Sequence, residues 1–157
     1  MKKFYAILLA IICFTAVASA QKGQFGVGAN LSYATEIENF GLGAKLQYGV
    51  TDKIRSEFSF NYFFEKNNVY GWDVNLNFHY LFNLAPRFTV YPLLGLTVSN
   101  ASVDVKGAKG VTKFGLNLGG GFEYAINPKF SVGFEGKYTL VDDIDQGVFM
   151  VGGVYHF

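Results

Sequence analysis

The chain has 157 residues, 18% of them aromatic, and its 13 basic residues nearly balance its 12 acidic ones. This length suits one domain, and the even charge balance gives no broad electrostatic attraction to nucleic acid. The single cysteine, Cys13, excludes a disulfide within the chain.

The first 20 residues have the composition of a secretory signal peptide. Lys2 and Lys3 supply a positive start, an apolar stretch follows from Phe4 to Val17, and Ala18-Ser19-Ala20 supplies the small residues of a cleavage site. The apolar run is shorter than the ~18–20 residues that a membrane-spanning helix needs. We therefore predict cleavage before Gln21, which leaves residues 21–157 with 11 basic and 12 acidic side chains.

Eight segments of the remaining chain alternate apolar and polar residues, as β-strands do. They cover residues 24–33, 40–50, 54–63, 71–82, 88–99, 113–126, 130–139 and 147–157. The fourth segment is the clearest, because six apolar residues from Trp72 to Phe82 alternate with Asp73, Asn75, Asn77, His79 and Leu81. Pro92 interrupts the fifth segment. Each segment is long enough for the ~9–11 residues with which a tilted strand crosses a bilayer.

The connections between these segments alternate in length and composition. Residues 51–53, 83–87 and 127–129 are short and rich in turn-forming residues, whereas 34–39, 64–70, 100–112 and 140–146 are mostly longer and richer in charge or glycine. Transmembrane barrels have short periplasmic turns and longer outer loops. The sequence thus predicts an all-β fold: an eight-stranded antiparallel up-and-down transmembrane β-barrel with short periplasmic turns and longer extracellular loops.

The apolar faces are too bulky to fill an eight-stranded barrel, whose interior has room only for its own side chains or one small ligand. We therefore expect them to face lipid and the polar faces to face inward. The expected interior charges are four bases and four acids, Lys45, Arg55, Lys113, Lys137, Glu57, Asp73, Glu123 and Glu135. Because unpaired buried charge is costly, this balance favours a paired polar plug; a gated polar pore is the alternative.

Aromatic residues cluster at the two ends of the predicted strands. Next to the short connections lie Tyr48, Tyr80, Phe82, Phe88, Tyr124, Phe130 and Tyr155. At the opposite ends lie Tyr33, Phe40, Tyr62, Trp72 and Tyr138. Two aromatic girdles around an apolar belt are typical of barrels at the membrane interfaces.

The paired-strand pattern, "YPLLGLTVS" at 91–99, "FGLNLGGGFEY" at 114–124 and "VGGVYHF" at the end resemble small eight-stranded outer-membrane barrels of the OmpX, OmpA-transmembrane-domain and opacity-protein type. The resemblance covers residues 21–157. It implies export to the cell outer membrane and contact with its lipid and lipopolysaccharide. The final Phe157 resembles the signal that the outer-membrane assembly machinery reads. We expect a monomer without a cofactor.

The resemblance implies a structural or surface-interaction role, in membrane integrity, adhesion or contact with a host protein through the outer loops. A small non-specific pore is the alternative, and a soluble periplasmic ligand-binding barrel is a third possibility that the aromatic girdles oppose. Some barrels of this size are lipid A acyltransferases or deacylases that use a histidine near the outer rim. Here both histidines, His79 and His156, fall near the short connections, so we predict no enzyme.

The segment 140–146 contains three acidic residues, Asp142, Asp143 and Asp145. Their spacing lacks the ligand positions of a calcium-binding loop. We therefore predict a solvated loop, or one that divalent cations bridge to lipopolysaccharide, and no dedicated metal site.

Overall fold

The computed structural model describes residues 22–142 and 145–157. Its strands are β1 Phe25–Ala34, β2 Asn39–Gly49, β3 Ile54–Lys66, β4 Val69–Tyr80, β5 Phe82–Ala85, β6 Phe88–Val103, β7 Val111–Asn127, β8 Phe130–Val141 and β9 Gln146–His156. The predicted signal peptide and Asp143 lie outside the described residues. Over the two described ranges, no helix is long and apolar enough to cross a membrane.

The strands form one closed antiparallel sheet. Their order is β4-β3-β2-β1-β9-β8-β7-β6-β5, and an additional pairing of β4 with β6 closes the sheet into a barrel. β4 and β5 pair with β6 in the same register, with His79 opposite Leu93 and Phe82 opposite Val90. The break between them lies opposite Pro92, which has no backbone N–H to give to the ladder. The two segments therefore occupy one strand position, and the predicted eight-stranded antiparallel barrel is confirmed.

The outer face carries a continuous apolar belt, which β6 shows most clearly. Six alternate residues of β6, from Phe88 to Val98, point outward, and Leu94 is 61% exposed. They span about 33 Å along the strand, which a strand tilt of about 40° converts to the ~25 Å height of a barrel's apolar band. Above Val98 the outer face becomes polar, where Asn100 donates a hydrogen bond to Thr112 at 2.8 Å. The strands thus continue beyond the belt.

The two ends of the barrel differ in their connections. One end, called here the short-turn end, carries the connections 50–53, 86–87 and 128–129, and the other, called the loop end, carries 35–38, 67–68, 104–110 and 142–145. The connection between β3 and β4 is shorter than the sequence suggested, because both strands extend to a two-residue turn. Asn67 and Asn68 there have φ of 53° and 63°, a left-handed conformation that asparagine tolerates in tight hairpins.

The interior is less uniformly polar than the sequence suggested. At the loop end, Ala34, Phe63, Val148 and Met150 form a buried apolar cluster, against which Ile37 packs. We call this group the apolar plug. A second cluster, Leu81, Tyr91 and Leu93, lies in the short-turn half of the barrel. Both consist of inward residues of the strict alternation, so apolar groups interrupt the polar lining of the lumen in both halves of the barrel.

Candidate functional site in the barrel interior

A buried charge cluster lies between β2, β3 and β8. Lys45 on β2 donates a hydrogen bond to Glu57 on β3 at 3.2 Å, and the same ammonium lies 3.9 Å from Glu135 on β8. Gln47 lies opposite Glu57 in the ladder and donates to the same carboxylate oxygen at 2.8 Å. All four side chains are buried. One lysine therefore serves two carboxylates, and the Gln47 amide is a second donor to Glu57 Oε2. Among the described residues, none donates to Glu57 Oε1.

Arg55 links this cluster to the opposite wall. Its Nη1 donates to both carboxylate oxygens of Glu123, at 2.8 and 3.0 Å. Its Nε and Nη2 lie 3.3 and 3.1 Å from His79 Nδ1, and the guanidinium lies 5.0 Å from the centre of the Tyr91 ring. Tyr91 stacks on His79 and donates its hydroxyl to Glu135 at 2.9 Å. These contacts join five strands into one network across the lumen.

An amide layer lies on the loop-end side of the charge cluster. Asp73 accepts hydrogen bonds from Asn61 and Asn75, both at 2.7 Å. Because a carboxylate only accepts, each amide presents its nitrogen to Asp73, and Asn61 Oδ1 is left to accept from Asn30 at 2.9 Å. Asn117 and Lys137 both donate to Asn75 Oδ1, at 2.8 and 2.7 Å. The charge of Asp73 thus sets the direction of the hydrogen bonds in this layer.

The predicted charge network is therefore divided in space. Lys45, Arg55, Glu57, Glu123 and Glu135 contact one another directly or through shared partners. Two further members, Asp73 and Lys137, belong to the amide layer. The last member, Lys113, lies opposite Ser99 towards the loop end and is only half-buried.

Sequence reasoning did not assign a role to His79, Tyr91 or the inward asparagines. The available signal was their position in the alternation, since His79 and the three asparagines at 75, 77 and 117 occupy inward positions. Tyr91 lies beside Pro92, where the pattern was least clear. Its inward position is settled by its 5% exposure and its contacts with Arg55 and Glu135.

Three donor groups in the charge cluster come close enough to suggest a metal site. One ligand atom each from Glu57, His79 and Glu135 lies within 4.8 Å of the others, and all three residues are buried. However, His79 Nδ1 faces Arg55, which can only donate, so the proton of the neutral ring is on Nε2. A metal-bound histidine instead donates its second ring nitrogen to an acceptor. Since Lys45 also occupies the space beside both carboxylates, this arrangement does not fit a metal ion.

The short-turn end contains an open cavity of about 370 Å³, called here the cup. The Arg55–Glu123 pair and Gln47 line it, and on one wall Ser131 Oγ lies 3.0 Å from His156 Nε2. On another wall Thr89 donates to Asn83 at 2.7 Å. A chamber of about 20 Å³ shares Gln47, Glu123 and Ser131 with the cup. The cup therefore narrows to a space the size of a water molecule at the charge cluster.

The predicted aromatic residues all lie on the outward side of the strands. Phe40, Tyr48, Tyr138 and Tyr155 are 42–68% exposed. Neighbouring rings contact each other at both ends, with centroids 5.0 Å apart for Tyr33 and Phe40 and 4.9 Å apart for Tyr80 and Phe82. The remaining members of the predicted girdles, all exposed or half-buried, are Tyr62, Trp72, Phe88, Tyr124 and Phe130.

Within the acidic loop, Asp145 accepts a hydrogen bond from the backbone N–H of Val141 at 3.1 Å. Asp142 is exposed. This hydrogen bond therefore links the end of β8 to the residue that precedes β9.

Comparison with known proteins agrees with the fold. The sequence matches the family model of the outer membrane protein beta-barrel domain over residues 5–157, and no curated protein matches it significantly. The N-terminal β-barrel domain of Pseudomonas aeruginosa OprF has a TM-score of 0.71 at 18% identity, covering 87% of this chain and 98% of that one. Neisserial surface protein A gives 0.67 at 18% identity, covering 85% and 96%.

Ail, the attachment invasion locus protein of Yersinia pestis, gives a TM-score of 0.57 at 22% identity, covering 87% of this chain and 99% of that one. At such identities the solved structures show a shared fold. The family match extends over nearly the whole sequence and agrees with the closed barrel and its apolar belt. The chain belongs to the outer membrane protein beta-barrel domain family.

Proposed function

We propose that this chain is a plugged, non-enzymatic outer-membrane barrel that supports the membrane and presents its loop end for surface contacts. Export through cleavage of residues 1–20 and insertion as a monomer are parts of this proposal. The observation that carries it is the filling of the lumen beyond the cup. From the short-turn end upward lie the Arg55–Glu123 pair, the amide layer around Asp73, and the apolar plug. An eight-stranded barrel has little further space inside.

A small non-specific pore is the alternative function. The cup gives it some support, because water can enter the barrel from the short-turn end as far as Arg55. An ion that continued would have to separate the partly buried Arg55–Glu123 pair and then pass Phe63 and Met150 in the apolar plug. Both steps oppose conduction.

Single-channel recording separates the two functions. Residues 21–157 would be refolded into planar bilayers, and a gel-mobility difference between unheated and boiled samples would establish that the barrel has folded. We expect folded protein to give no conductance steps, because two levels of the lumen are closed. Reproducible steps from folded protein would favour the pore and reject the plug.

Part of the loop end is basic. Lys106 and Lys109 are exposed in the connection 104–110, whereas Lys66 on the neighbouring hairpin is paired with Glu38 at 3.6 Å. Ail, which shares the fold, has been solved in complex with the heparin analogue sucrose octasulfate. We propose that this loop contacts polyanionic sugars, either the phosphorylated sugars of lipopolysaccharide or an acidic glycan on another cell.

Replacing Lys106 and Lys109 together by glutamine tests this contact. We expect binding of sucrose octasulfate to the refolded barrel to weaken about threefold or more, and its salt dependence to decrease, because two screened ionic contacts are lost. The matched control replaces Lys53 and Lys129, which are exposed at the short-turn end, by glutamine. Equal weakening by both double variants would show that only net charge matters.

A further inference from the structure

The cup at the short-turn end is an open cavity whose lining has a defined chemistry. Four carboxamides, Gln24, Gln47, Asn83 and Asn127, and two hydroxyls, Thr89 and Ser131, line it. Gln47, Thr89 and Ser131 are at least nine-tenths buried. We propose that the cup binds a small neutral solute rich in hydroxyl and amide groups, of which an N-acetylated sugar is the simplest example.

A buried acceptor in the cup lacks a donor. Gln47 Nε2 donates to Glu57, which fixes the orientation of the amide. Among the described residues, none donates to Gln47 Oε1, although the side chain is only 3% exposed. A buried acceptor without a partner costs about 1–3 kcal/mol. This oxygen is closed to solvent in the ligand-free cup, and a ligand hydroxyl or amide N–H that reached it would remove that cost.

The other polar groups of the cup can both donate and accept. Ser131 and His156 share one hydrogen bond at 3.0 Å, and a hydroxyl keeps further capacity for a ligand. Thr89 donates to Asn83 Oδ1, which leaves the Asn83 amide nitrogen as a donor. A ligand with alternating donors and acceptors, as in a sugar, matches this set.

The charges at the base of the cup favour a neutral ligand. Arg55 and Glu123 form a bidentate pair with N–O distances of 2.8 and 3.0 Å, so each already has its counter-ion. A charged ligand at the base would have to compete with one of them. A third charged side chain of the lining, Arg87, is exposed and lies outside this pair. The non-polar contributors to the lining, Ala85, Ala125 and two prolines, are small.

The size and direction of the cup agree with a periplasmic solute. Its volume of about 370 Å³ lies at the lower end of the ~300–1,000 Å³ typical of small-molecule sites. It opens between the short turns, which face the periplasm in barrels of this kind. The inference is independent of the proposed plug and loop contacts, because binding in the cup requires neither conduction nor the loops.

Nuclear magnetic resonance of the refolded chain, 21–157, in micelles tests the proposal, with N,N′-diacetylchitobiose as the probe. We expect saturable shifts of the side-chain amides of Gln47, Asn83 and Asn127, with a Kd of about 1 mM, a weak but specific affinity. Ser131→Ala should weaken binding about threefold or more. The control is Ser59→Ala, since Ser59 is equally buried but accepts from Asn75 in the amide layer.

Three results would overturn the proposal. One is the absence of saturable shifts in wild-type protein whose gel mobility shows that it is folded. The second is equal weakening by the two serine variants. The third is tighter binding of inorganic phosphate than of the sugar at the same amides, which would make the cup an anion site and needs no variant to detect.

Discussion

At the scale of single residues, the charge of Glu57 is stabilised by partners inside the barrel. It is fully buried and accepts from Lys45 and Gln47. In water a glutamate has many replacement partners, but inside the barrel each partner is fixed to another strand. Removing one member of a buried pair leaves the other charge without compensation, and this loss, more than the pair's own attraction, determines the cost.

We expect Glu57→Gln to lower the free energy of unfolding by about 3–5 kcal/mol, the range for breaking a buried ion pair. Urea titration of the barrel in lipid vesicles measures it. The control is Glu38→Gln, because Glu38 pairs with Lys66 at 3.6 Å on the exposed surface, where such pairs contribute about 0–1 kcal/mol. Similar losses for the two variants would contradict a stabilising interior network.

At the scale of strands, the outward residues of β6 and β5 lie at different depths in the membrane. Outward residues in the middle of the belt would meet hydrocarbon, and those near the turns would meet the interface. Leu94 on β6 and Leu84 on β5 have similar exposures, 61% and 65%, but lie at different heights. Their side chains therefore report depth in the membrane without a difference in residue type.

We expect Leu94→Arg to destabilise the folded barrel in vesicles by about 2–4 kcal/mol, the cost of arginine near the bilayer midplane. Leu84→Arg should cost about 0–1 kcal/mol, because arginine at the interface reaches water. The same urea titration gives both values. If both leucines tolerated arginine equally, the belt would not have the height that we derive from β6.

At the scale of the whole molecule, closure depends on pairing the first strand with the last. β1 and β9 are in register from Gly26 opposite His156 to Ala34 opposite Val148. Phe157 follows this ladder, and its N–H donates to Phe25 at 2.8 Å while its side chain remains 65% exposed. The backbone of Phe157 thus completes the closure, and its exposed ring contacts those of Phe25 and Tyr155.

We expect Phe157→Ala to refold in vitro with unchanged heat-dependent gel mobility but to accumulate poorly in the outer membrane of cells. The reason is that the aromatic residue at the end of the final strand resembles the signal that the assembly machinery reads. Phe114→Ala is the control, since Phe114 is 63% exposed on the same outer face. Membrane fractionation compares the two variants, and equal accumulation would reject the proposed signal at Phe157.

The structure agrees with the predicted facing of residues where alternation within one strand is sufficient to predict it. The inward positions of Asp73, Asn75, Asn77 and His79 follow from alternation within β4. Lys113 occupies an inward position by the same rule, yet it lies towards the loop end, away from the charge cluster. Alternation gives the face of a residue, but its height in the barrel depends on register and on where the strand leaves the belt.

By itself, the sequence determined the eight strand positions, the lipid-facing sides and the class of membrane protein, because a period of two residues is a local property. Only the tertiary structure decided that Arg55 meets Glu123, 68 positions away, that apolar residues cluster in both halves of the lumen, and that a polar cup remains at one end. These features require side chains from several strands at one level. Closure and strand stagger set that level, and no single segment of the sequence carries that information.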